Sequence, residues 1–333
     1  MADKLIRQLT FDSPVLQMAV SCDGEYLALS HDFDSYETFL AVRNDVDIPD
    51  QPKISLLSIN NGQHLATINL TGERPGTKLN FINRSPLLIY HVYEGIQLYD
   101  CRAKEIVATI PFRDIGGLVK TSMESRVVFY GGSDQTVQVW DVLKKEQVWQ
   151  LPGHESDYRD WTYFYSAADI SADGEKVAVI RTGSQKILVY DIETSALLHT
   201  ILQAPFAGSE ISWSLDTNYL AIRGEESKNE SDERKRFVWS LKTQELIAQE
   251  NFESPSDNCS AIAFHPSSNY LATGYVNGRI ALESLECKRT IFSDFTHIGQ
   301  VESIVFTNDG KRMISGGEDG TVTIVNLEEL GSF

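Results

Sequence analysis

The stretch Ser125–Asp141, SRVVFYGGSDQTVQVWD, decides how this chain is read. Val, Phe, Tyr and Trp between Arg126 and Tyr130, and again between Thr136 and Asp141, favour a pleated, half-buried surface. Gly131 to Gln135 supplies the tight turn that joins the two runs. A lone hairpin is marginal in water, so this one must pack against others. It also recurs: Met313–Asn326, MISGGEDGTVTIVN, has the same layout.

Repetition at a fixed period sets a fold before any local detail does. The inner strand of the hairpin returns as YLALS at Tyr26, LLIYH at Leu87, VVFYGG at Val127, VAVIR at Val177, YLAIRG at Tyr219, YLATGY at Tyr270 and MISGG at Met313. Several copies follow a turn, such as SCDG, SADGEK, HPSSN or NDGKR. A third strand comes after each copy, for example KISLLSI at Lys53, KILVYD at Lys186 and RIALES at Arg279. An outer fourth strand then follows in most, such as IVATI at Ile106 and LLHTI at Leu197. The spacing predicts seven four-strand units, with first strands beginning near Val15, Thr77, Gly116, Tyr165, Ser209, Cys259 and Val301. The last unit lacks a fourth strand, and Leu5–Phe11, LIRQLTF, is one strand to spare. If residues 5–11 complete the seventh unit, residues 1–333 form one all-β domain, a closed ring with no open edge.

Composition agrees with a repeat array. The 333 residues exceed the ~250–300 at which one hydrophobic core stops growing, whereas stacked repeats need only their neighbours. A chain that is 42% hydrophobic and 23% charged is not low-complexity disorder. The net charge of −18, from 29 Lys and Arg against 47 Asp and Glu, repels polyanions. No basic groove offsets it, so direct nucleic-acid binding is not expected. The local cluster Arg234-Lys235-Arg236 follows a run of acids and reads as a solvated charged loop. The four cysteines form no CxxC pair and suggest no disulfide framework. The N-terminus, MADKLIRQLTF, does not read as a secretory signal, and no 18-residue apolar run is present to span a membrane. The expectation is a cytoplasmic protein, with the nucleus as the alternative, and not a secreted one.

Trp140-Asp141, Tyr190-Asp191 and Tyr99-Asp100 at third-strand ends, the turn aspartates Asp134 and Asp319, and Gly153-His154 before a first strand are similar to the motifs of the WD40-repeat family. The resemblance implies a seven-bladed β-propeller that acts without catalysis, as a scaffold for other proteins. It further implies a buried His–Ser–Asp–Trp network within a blade. His297, Ser315 and Asp319 match it in the last unit, with Val325 where Trp would stand; Asp134 and Trp140 match it in the third, and His154 would be a structural histidine of the fourth.

Strand parity gives a sharper expectation. In an up-and-down blade the second-to-third turns and the links between blades leave one face. The three longest insertions, His31–Pro52, Pro152–Phe164 and Glu225–Lys235, all belong to that set. The first combines Phe33, Tyr36 and Phe39 with acids that include Asp45 and Asp47. The second combines Tyr158, Trp161 and Tyr163 with acids that include Asp160. Aromatic anchors ringed by carboxylates suit a basic, partly apolar protein or peptide partner, bound by a monomeric ring.

Other motifs lead to weaker chemistry. Gly72–Lys78, GERPGTK, has three residues between its glycines where a phosphate loop needs four, and it joins two strands. His154, Ser156 and Asp157 are too close in sequence to point into one relay, and no GxSxG elbow exists. Asp45, Asp47 and Asp50 lack the Gly and distal Glu of a calcium loop. No HxH or HExxH spacing supports zinc, so neither metal nor cofactor is expected. The competing reading is an enzymatic propeller, or one that binds a small molecule or a metal, using its central channel. Such a channel needs convergent carboxylates or histidines, and the first strands VLQMAV, SAIAF and VESIVF are mostly apolar, which weighs against it.

Overall fold

The structure, a computed structural model, describes residues 6–31, 53–70, 78–82, 85–92, 95–111, 120–122, 125–131, 136–152, 165–181, 186–202, 207–228, 231–251 and 254–330. These form seven four-stranded antiparallel sheets; six are meanders in chain order, and the seventh takes its outer strand from the start of the chain. First strands run Val15–Val20, Leu79–Phe81, Lys120–Thr121, Tyr165–Ile170, Ala207–Trp213, Cys259–Phe264 and Val301–Phe306. The first strands of blades 2 and 3 are described from Leu79 and from Lys120, and the starts expected near Thr77 and Gly116 lie outside the described residues. The N-terminal strand Ile6–Thr10 lies antiparallel to Thr321–Asn326 with Ile6 opposite Val325, as the fourth strand of blade 7.

Packing shows why these strands fold together. Seven apolar clusters form among the described residues, and each straddles one pair of neighbouring blades. One joins Val15, Met18, Leu27 and Leu29 of blade 1 to Ile314, Val322 and Ile324 of blade 7, so the last blade packs on the first. Each inner strand is therefore covered on both sides, and reads as a continuous apolar run instead of alternating. Tyr26–His31 and Lys53–Ser58 are buried at nearly every position, whereas the outer strand His64–Asn69 is mostly open.

The turns are built from the same few devices. Where blades 1, 4, 5 and 7 turn from first to second strand, Ser21, Ser171, Ser214 and Thr307 donate to Asp23, Asp173, Asp216 and Asp309. The same hydroxyls accept the amides of Tyr26, Lys176, Tyr219 and Arg312. Side chains that offer the backbone this alternative belong in turns, which is why S-x-D sits there. On the opposite face, Gly278 has φ +83° and lies against the His297 carbonyl, where any Cβ would collide.

Blade 5 departs from its neighbours. Its second and third strands, Tyr219–Lys228 and Ser231–Ser240, are ten residues each and pair as far as Lys228 with Ser231. The segment read as the insertion Glu225–Lys235 is thus an extension of the hairpin, not an irregular loop. The four pairs beyond Gly224 and Lys235 project it by about 13 Å at ~3.3 Å per residue.

Candidate functional site

Every second strand ends, and every link between blades arrives, on one face of the ring. His31 pairs with Lys53, which brings the two ends of segment 32–52 together on this face. Leu151 and Tyr165 end the strands that flank the link into blade 4, and the blade 5 hairpin rises from the same side. The anchor points of all three insertions therefore share the link face. The aromatic and acidic residues expected to bind a partner, Phe33, Tyr36, Phe39, Asp45, Asp47, Tyr158, Asp160, Trp161 and Tyr163, lie outside the described residues, as do Asp134 and His154.

The described part of that face is held by a buried histidine. His297 Nε2 lies 2.7 Å from Ser315 Oγ, and its Nδ1 lies 2.8 Å from Thr321 Oγ1. Thr321 donates to Asp319 Oδ1 at 2.7 Å, while Asp319 Oδ2 accepts the Ile298 amide at 2.7 Å. Because Thr321 spends its proton on Asp319, the ring nitrogen facing it must donate, which leaves Nε2 to accept from Ser315. The network pins the link between blades 6 and 7. Beside it two large apolar side chains stand in solvent, Phe295 at 66% and Ile298 at 87% exposure. Trp140 in blade 3 donates its Nε1 to Gln138 at 3.0 Å.

Blade 1 carries a second network that motif matching misses. His31, read as the start of an insertion, is the last residue of a strand and is buried, with Ser55 2.7 Å from Nε2 and Ser13 3.2 Å from Nδ1. The histidine stands on the second strand and the serine on the link, the reverse of blade 7. Burial pulls His31 down from 6.5 to about 4, with Lys53 and His64 adding to the effect. Burial also lowers His297, although Asp319 resists. Through this window the unfolded chain binds protons that the folded chain does not. Stability is thus fully present above about 6.5 and falls as pH drops towards 4. Comparing urea midpoints at pH 7.5 and 5 should show His31→Gln losing less than wild type. The difference should be roughly 1.4 kcal/mol for each pH unit below the usual histidine value.

The central channel is more polar than its apolar first strands suggest. A cavity of about 360 Å³ is lined from six blades, and five charged side chains enter it: Lys78, Lys120, Glu210, Arg223 and Glu302. They come from blades 2, 3, 5 and 7. Glu210 Oε2 accepts from Arg223 Nε at 2.9 Å, and Lys120 Nζ reaches its other oxygen at 3.6 Å from across the ring. Burial works against the Glu210 carboxylate, but Arg223 and Lys120 outweigh it and hold it below the usual range. Burial weakens the acidity of Glu302, whose Oε1 accepts from Gln300 at 3.1 Å. Next to the cavity, Asp169 of blade 4 accepts the Trp213 amide of blade 5 at 2.9 Å. Burial raises its carboxyl to about 6. The expectation of a channel without convergent carboxylates is thereby corrected. Lys78 and Lys120 stand at the first strands of blades 2 and 3, whose described parts of three and two residues carry no readable period, while Glu210, Arg223 and Glu302 are single charges within longer strands. Among the described residues no group of three or more His, Cys, Asp or Glu side chains could hold a metal ion.

A further buried charge lies between blades 5 and 6. Arg236 is 4% exposed and reaches Glu250 at 2.8 Å and Glu283 at 2.7 Å, and it also donates to Thr273. The Arg279 guanidinium stacks 3.7 Å above the Tyr275 ring beside it. The reading of Arg234-Lys235-Arg236 as solvated is wrong for Arg236, whose place on a third strand turns it between two blades.

Comparison with known proteins adds the following. Residues 248–282 and 286–326 match the family model "WD domain, G-beta repeat", and they cover most of blades 6 and 7. Autophagy-related protein 16 of Arabidopsis thaliana is 20% identical over 214 residues, 64% of this chain and 39% of that protein. WD repeat-containing protein 55 of Mus musculus is 24% identical over 109 residues, 32% of this chain and 27% of that protein. WD repeat-containing protein 91 of Xenopus tropicalis is 32% identical over 106 residues, 32% of this chain and 14% of that protein. The chain thus spans well under half the length of these relatives. No helix among the described residues is long and apolar enough to cross a membrane.

Proposed function

We propose that this chain, a seven-bladed β-propeller carrying WD40 repeats, is a non-catalytic docking platform for a protein partner in a multiprotein assembly. The partner is held on the link face and presents a basic, partly apolar surface. The observation that carries this reading is the gathering of all three insertion anchors on one face, beside the exposed Phe295 and Ile298. Large apolar side chains standing in solvent on a rigid frame are what a partner covers, and the acids carried by the insertions favour a basic surface. The acidic total of −18 favours the same class of partner. Similarity to WD repeat-containing proteins supports a scaffold in general terms, and the fold by itself leaves the choice of partner open.

The test compares wild type with Tyr158→Ala/Trp161→Ala and with Ile298→Asp in capture from native lysate, followed by binding measurements on the purified partner. Hot-spot aromatics cost about 2 kcal/mol or more on truncation, so affinity should fall at least 30-fold while the melting transition stays within about 1 °C. Equal capture by all three proteins would refute the assignment.

A further inference from the structure

The central channel concentrates positive charge inside an acidic protein. Lys78, Lys120 and Arg223 enter the cavity against two carboxylates, Glu210 and Glu302. Glu210 is already shared between Lys120 and the Nε of Arg223. Lys78 makes no ion pair with any described residue, and no described residue takes the terminal nitrogens of Arg223. A guanidinium fork and an ammonium thus face one cavity from blades 5 and 2, with a second ammonium from blade 3. Such a set matches a compact anion whose oxygens point in several directions, because Arg supplies paired donors and Lys a point charge. The cavity of about 360 Å³ accommodates an oxyanion bearing a small organic group.

We propose that the central channel binds a small oxyanion of the phosphate or phosphomonoester class, held by Lys78, Lys120 and the Arg223 guanidinium. Burial is the main cause that pulls Lys78 down to about 8, and Lys120 and Arg223 push it the same way while Glu210 and Glu302 resist. Asp169 beside the cavity adds a third carboxylate that acts on Lys120, yet Lys78 pairs directly with no acid among the described residues, which leaves its ammonium as a donor for an anion in the cavity. The site goes beyond protein docking and does not depend on the link face, since none of its residues lies in the three insertions.

The test is calorimetric titration of the full chain with inorganic phosphate and, separately, with glycerol 3-phosphate, each against chloride at equal ionic strength. Lys78→Met, Lys120→Met and the exposed control Lys311→Met are titrated alongside. Binding by wild type and Lys311→Met, weakened at least tenfold in Lys78→Met and Lys120→Met, supports the site. Binding of phosphate alone assigns it to the free anion, and tighter binding of glycerol 3-phosphate assigns it to a phosphomonoester. Absence of heat from wild type with both probes overturns the proposal, as does equal affinity in the Lys78→Met protein. If a variant does not fold, phosphorus NMR line-broadening of inorganic phosphate by wild type still decides it: broadening above the chloride-matched blank supports the site, and no broadening rejects it.

Discussion

Deletion of residues 1–10 will open the ring. Ile6–Thr10 supplies the outer strand of blade 7, and without it Thr321–Asn326 becomes a free edge of five unpaired positions. The loss extends beyond the ladder. Leu9 packs into the cluster that joins blades 7 and 1, and the Phe11 amide, which donates to the Gly320 carbonyl at 2.8 Å, would follow a free end. Several backbone hydrogen bonds at ~1 kcal/mol each, with one part-buried leucine, add up to roughly 4 kcal/mol. An exposed edge strand is also a template for pairing with another chain. The shortened protein should therefore unfold at clearly lower denaturant and self-associate on size-exclusion chromatography. Adding the peptide of residues 1–12 in excess should restore part of the stability. An unchanged midpoint with a monomeric profile would show that the strand closes nothing.

Arg236→Met will cost roughly 3 kcal/mol, and the cause will be the carboxylates it leaves behind. Its side chain is 5% exposed, and Glu250 and Glu283 both lean on it from less exposed positions than an ordinary surface acid. Removing the arginine leaves two acids facing each other at a blade interface. Burial already raises Glu250, and Glu283 raises it further while Arg236 resists, so the variant should hold this carboxyl higher still. A carboxyl raised in the folded state binds more protons than in the unfolded one. The variant keeps the buried histidines, so it should lose less stability than wild type as pH falls from 7 to 5, its raised carboxyl offsetting part of the histidine loss. Arg236→Met/Glu250→Gln/Glu283→Gln should recover most of the midpoint, because replacing a whole buried charge set is far cheaper than breaking it. Chemical denaturation of the three proteins at both pH values checks this.

Inner strands such as Tyr270–Tyr275 and Thr321–Asn326 are legible because burial on both sides writes a continuous apolar run, and turns rich in Ser, Asn, Asp and Gly punctuate it. The order of sheets and the extra N-terminal strand follow from that rhythm. Charged positions were not legible, for physical reasons. Lys78 and Lys120 sit at first strands whose described parts are only three and two residues long. Arg236 is adjacent to two other basic residues, and only its strand parity turns it inward. His31 has its serine partners at positions 13 and 55, so no local motif announces it. In each case the role arises from residues brought together by strand pairing or by packing between blades, which a local reading does not see. The insertions are the opposite case: their composition is readable, and the structure places their anchors.

The most direct test of the docking face is hydrogen–deuterium exchange on the purified complex with its captured partner. Protection is expected on the link face: at peptides covering 32–52, 153–164 and the tip of the blade 5 hairpin, and around Ile298. The outer strands should stay unprotected, including the exposed Ile106, Val107, Leu197, Leu198 and Leu246. Protection confined to those outer strands, with the link face exchanging as in the free protein, would contradict the assignment and move the binding surface to the rim of the ring.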